Sequence, residues 1–135
     1  MFTLFITPME QKKHVDDLHQ LYTGWLKDLA FYKDELGTFG KRLEEVVTQN
    51  NKKEILASVE HFQNQFIRQN ELIDVMKHNY NQKELELVSN VKANPIASDR
   101  VIYQDPADLK EEFETFERIY REMKVEFESF LSKTL

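Results

Sequence analysis

Four histidines and the carboxylates near them are the side chains in this chain best placed to do chemistry. Carboxylate and imidazole groups from facing helices chelate iron, manganese or zinc in the cores of helical bundles. Glu10/His14 and Asp74/His78 are each one helical turn apart and could share a metal. The di-iron arrangement, Glu-x-x-His on two helices with further inward Glu, is absent. With Val15 at heptad position a, His14 falls at g, Glu10 at c and His19 at e. On the second apolar stripe His61 falls at c, Asp74 at b and His78 at f, all facing water. His14 and His19 point apart, roughly 140° around a helix. Folding the chain back after its first turn brings His78 within a few residues of the layer of His19. His19 and His78 are thus the one pair to watch for a metal. The expectation is solvated histidines, with no metal and no cofactor.

Other chemistries lack their residues. There are no cysteines, which excludes thiolate nucleophiles, disulfides, iron–sulfur clusters and Cys-ligated zinc. Three glycines do not furnish a phosphate loop, and no nucleophile elbow, dinucleotide fingerprint or paired catalytic acid and base appears. The sequence leans away from an enzyme.

Net charge is −6, and the basic doublets Lys12-Lys13, Lys41-Arg42 and Lys52-Lys53 have carboxylates close by. A phosphate-tracking surface needs a basic stripe, so nucleic acid is not an expected partner. A basic membrane-surface helix is disfavoured for the same reason. No apolar run approaches the ~20 residues of a membrane span, and the apolar start from Phe2 to Ile6 lacks the flanks of a secretory signal. A cytoplasmic location is the expectation.

What must position any of these residues is a set of long helices. Val15, Leu18, Tyr22, Trp25, Leu29, Tyr32, Leu36, Phe39, Leu43 and Val46 alternate at intervals of three and four, the a/d seam of a helix packed lengthwise on others. Thr7-Pro8-Met9-Glu10 has the grammar of a helix start. Gly24, Gly37 and Gly40 weaken this helix, permit a kink near 37–40, or let a neighbour approach closely. Asn51 as cap with Glu54 opens a second helix, whose seam reads Ile55, Val59, Phe62, Phe66, Gln69, Ile73, Met76, Tyr80, broadened by Leu56 and Leu72. After Tyr80 the pattern loosens, but no Gly or Pro lies between Asn79 and Asn90, so one helix to about Lys92 is expected. A break near Asn81, creating a fourth helix, is the alternative. Asn94-Pro95 ends it, and Asp105-Pro106 opens a third along Leu109, Phe113, Phe116, Tyr120, Met123, Phe127, Phe130.

The fold class is therefore all-α: one domain over residues 1–135, an elongated up-down-up bundle of helices at about 8–48, 52–92 and 106–133. Residues 1–7 form an apolar leader and 93–105 a linker. Phe2–Ile6 and Val101–Tyr103 are expected to meet at one end, as a short strand pair or a plug.

Gln69, alone and polar on its seam, would either set register by pairing with Tyr32 or line a cavity. Twelve seam aromatics, Tyr22 to Phe130, would fill a plain core or enclose an apolar ligand. Three apolar residues miss every seam: Phe31 at c, Ile67 at b and Val125 at f. They are the candidate interface. The function expected is a non-enzymatic interaction or scaffold module that binds a protein partner or itself, as a homo-oligomer. The alternative is a bundle holding a metal ion or apolar small molecule between its helices, with catalysis in reach.

Overall fold

The computed structural model describes the backbone of residues 8–93 and 107–135, and side chains over 16–89 and 107–135. Three helices make up this part of the chain: α1 (Pro8–Gln49), α2 (Lys53–Ala93) and α3 (Ala107–Thr134). No strand occurs among the described residues, and no described helix is long and apolar enough to cross a membrane. The leader and linker segments, with their expected contact, lie outside the described residues, as do the side chains of Glu10 and His14.

The helices form because their seams do what the spacing requires. From Leu18 to Val46 every seam residue of α1 is buried or half-buried. So is every seam residue of α2 from Ile55 to Tyr80, and of α3 from Leu109 to Phe130. Ring contacts fix how the seams meet. Tyr22 and Phe39 of α1 meet Tyr80 and Phe66 of α2, so these two helices are antiparallel. Trp25 and Phe39 meet Phe113 and Phe127 of α3, so α3 runs parallel to α1. The order is up-down-up. The backbones of α1 and α2 approach closely, while α3 stands farther off, its aromatic side chains bridging the gap. Phe113, Phe116, Tyr120, Phe127 and Phe130 bury large areas each, which is how three helices close a core without a fourth.

Several local expectations are corrected. Lys52, not Asn51, is the cap of α2, since its carbonyl accepts the first helical bond, from the Leu56 amide at 3.0 Å. The expected single second helix stands, since α2 runs unbroken through Asn81. Its seam continues Tyr80, Glu84, Leu87, and the apparent loosening arises because a carboxylate occupies a core-facing position there. Leu56 and Leu72 do not broaden the core but lie exposed beside it. At the end of α1, the Asn50 amide donates to the Val46 carbonyl at 3.0 Å and to the Thr134 carbonyl of α3 at 3.4 Å. One side chain thus satisfies an orphan carbonyl and ties two helix ends.

The glycines admit no neighbouring helix. A Cβ placed at Gly24, Gly37 or Gly40 meets nothing within 4 Å, and no glycine has positive φ. α1 runs unbroken through them. Their effect is therefore entropic only. Gly24→Ala and Gly37→Ala are each expected to raise the unfolding free energy by about 0.5–1 kcal/mol in urea titrations. A loss of stability in either would show that close packing had required the glycine.

Candidate functional site

A three-helix bundle has three grooves, and the edge residues of this chain treat them differently. The α1–α2 groove is latched by charge: His19 Nδ1 bonds Glu84 Oε1, and Lys33 Nζ donates to Asp74 Oδ1 at 2.5 Å. The α1–α3 groove is latched by phenols. Tyr32 donates to Glu117 Oε2 at 2.5 Å, and Tyr120 donates to Glu35 Oε1 at 2.8 Å. Lys124 Nζ completes this set on Glu35 Oε2 at 2.9 Å. The two tyrosine rings pack with centroids 4.5 Å apart, so the crossed bonds and the ring contact hold one another in place.

Burial, and then the carboxylates they face, push the Tyr32 and Tyr120 hydroxyls well above the ordinary value of 10.0. Tyr80 is pushed the same way, by burial and then by Glu112. These phenols stay protonated at neutral pH; Tyr32 and Tyr120 act as donors, while the buried Tyr80 hydroxyl has no partner among the described residues. A stability consequence follows. Below pH 10.0 the phenols hold their protons in both states and contribute no pH dependence from this source. Above it the unfolded chain releases protons that the folded chain keeps, so stability falls as pH rises. Urea midpoints measured from about pH 8 to about pH 11 are expected to fall at the alkaline end, and less steeply in Tyr120→Phe. A flat wild-type profile across that range would contradict this burial.

The α2–α3 groove is the one left open. Among the described residues no side-chain hydrogen bond or ion pair joins α2 to α3. A cleft of about 180 Å³ lies between Gln69, Leu72 and Met76 of α2 and Glu112, Thr115, Phe116 and Ile119 of α3. A second, shallower trough of about 590 Å³ continues along it, lined by Ser58, His61 and Phe62 against Glu126, Ser129, Phe130 and Lys133. Gln69 is only 5% exposed, and its Oε1 has no partner. Gln65 Oε1, on the same edge row of α2 as Ser58 and Leu72, is also buried and unpartnered. Leu72, Val75 and Ile119 form an apolar rim at 40%, 57% and 43% exposure.

The expected pairing of Gln69 with Tyr32 is thus corrected: the Tyr32 hydroxyl turns across to Glu117, on the opposite side of the core. A buried amide oxygen without a donor costs about 1–3 kcal/mol. Gln69→Leu is expected to stabilise the folded chain by about that amount in urea titration. Destabilisation would mean that the amide is satisfied and sets register.

The structure separates the other sequence candidates. His19 meets Glu84 and not His78, which lies exposed on α2 roughly 9 Å further along its axis. Asp74 is engaged by Lys33. His61 is exposed and sits edge-on to Phe62. Among the described residues no group of three or more His, Asp or Glu gathers where a metal could sit.

Phe31, Ile67 and Val125 are exposed at 60%, 56% and 67%, but they do not converge. Ile67 is one heptad before Asp74, on the flank of α2 toward α1. Phe31 is one turn before Glu35, on the flank of α1 toward α3, and Val125 points straight out from α3. The rim residues Val75 and Ile119 were missed because their only signal is an apolar side chain at an edge position. That signal has meaning only once it is known which helix edges face each other.

Compared with protein-family models, curated proteins and solved structures, the chain matches none of them.

Proposed function

We propose that this chain is a non-enzymatic interaction module that self-associates, and that the α2–α3 groove is the surface it uses. The observation that carries the reading is the asymmetry of the grooves. Two are latched by cross-helix bonds, while the third keeps an apolar rim at Leu72, Val75 and Ile119 above two unpartnered amide oxygens. Apolar surface around a cleft gains by being covered, and buried acceptors gain from a donor brought by whatever covers them. The phenols of the core are held protonated, and the larger trough, whose lining includes His61 and Glu126, is shallow and open to solvent.

The interleaved charges and net −6 support a protein partner over nucleic acid or a membrane surface. A cysteine-free acidic chain fits a cytoplasmic setting. A second reading has one observation in its favour. The 180 Å³ cleft would suit a small apolar molecule bearing one donor for the Gln69 amide.

Light scattering behind a sizing column, over a range of concentrations, separates these readings. Twice the chain mass of 16.2 kDa is expected, falling to a single mass in Ile119→Glu and unchanged in Phe31→Glu. A single chain at every concentration would overturn self-association. Uptake of an apolar dye, lost in Leu72→Glu, would then favour the ligand reading.

A further inference from the structure

We infer that two copies pair through their α2–α3 grooves about a two-fold axis parallel to the helices, each α2 lying across from the other copy's α3. The inference rests on the self-association proposed above and adds its face, its sense and its charge contacts. The occupant is a second copy because Arg68, the cation on the α2 edge, and the carboxylates at its level on the α3 edge are complementary. Arg68 shares the outer row of α2 with Val75, is exposed, and has no ion-pair partner among the described residues. The outer edge of α3 is acidic, with Glu112, Glu122 and Glu126 exposed along it.

The ring contacts supply the levels. Phe66 meets Phe127 on one side of Arg68's level and Tyr80 neighbours Phe113 on the other. Interpolating along the antiparallel pair sets Arg68 between Glu122 and Glu126, and Leu72 beside Ile119. A two-fold parallel to the helices brings α2 and α3 of different copies together at equal level. Arg68 then faces the partner's Glu122, and Leu72 and Val75 cover the partner's Ile119. Glu122 otherwise has only an exposed pair with Arg118 at 3.3 Å, which leaves it free to take a second cation. In the opposite sense, the register centred on Ile119 fails on charge. A two-fold perpendicular to the helices at the Ile119 level would set α3 against α3 and bring Glu112 onto the partner's Glu126. Like charges face to face exclude that register.

The test is charge reversal with mixing, on the full chain. Arg68→Glu and Glu122→Arg change exposed residues, and circular dichroism checks that each variant keeps its helices. Each variant alone is expected to self-associate about tenfold more weakly than wild type in the sizing experiment, because it carries two like-charge contacts. An equimolar mixture is expected to recover the dimer, since both contacts are then complementary. If wild type is a single chain at all concentrations, the proposed function and this inference both fall. If wild type dimerises and the single variants do so equally well, self-association stands and this face is overturned. Weak single variants whose mixture stays weak would overturn the facing of Arg68 and Glu122.

Discussion

The ring of Phe127 is fully buried and meets Phe39 of α1 at 5.1 Å and Phe62 and Phe66 of α2 at 5.2 and 4.9 Å between centroids. One side chain therefore reads the level of all three helices at once. A slip of α3 by a single turn would pull this ring from its partners and leave a void larger than any relaxation could fill. Similar contacts recur further up, where Trp25 meets Tyr80 and Phe113. Between these layers the axial position of every other residue is fixed. The edge chemistry follows from that: Tyr32 reaches Glu117, and Tyr120 reaches Glu35, because the aromatic layers set α1 and α3 in step.

α1 is the hub. It holds α2 by the His19–Glu84 and Lys33–Asp74 contacts and α3 by phenol–carboxylate bonds, whereas among the described residues α2 and α3 touch through their core side chains alone. The two kinds of latch differ in worth. His19 is largely exposed and Lys33–Asp74 is open to solvent on both sides, so the α1–α2 pairs contribute little and depend on salt. Glu35 is better shielded and accepts from both Tyr120 and Lys124, a geometry in which charge-assisted bonds are stronger. The tight backbone approach of α1 and α2 makes up for their weak latch. Among the described residues nothing comparable holds the α2–α3 edge, and its apolar rim is left exposed.

Two polar residues interrupt the α2 seam, and each keeps one buried oxygen without a partner, Glu84 Oε2 and Gln69 Oε1. Glu84 stands near the end of the core, where His19 can reach one of its oxygens. Gln69 stands in the middle, among Phe116 and Met76, where no donor arrives. Glu84 is thus offset on one oxygen only, and Gln69 lies beside an open cleft.

The sequence by itself determined the number of helices, their bounds to within about a residue or two, and the central seam of each, though not its edges at Leu56 and Leu72 or its continuation to Leu87. These follow from local grammar and from 3-4 spacing, each a property of one helix at a time. It did not determine which edges meet. An a/d seam is the same whether α3 packs on the left or the right of the α1–α2 pair, so periodicity is silent on whether Leu72 faces α1, α3 or water. Only the packed bundle decided that the e edge of α1 faces α2, that its g edge faces α3, and that the g edges of α2 and α3 share an open groove. For that reason Phe31, Ile67 and Val125 were legible as exposed but not as divergent. Val75 and Ile119, unremarkable in the sequence, came together only in three dimensions.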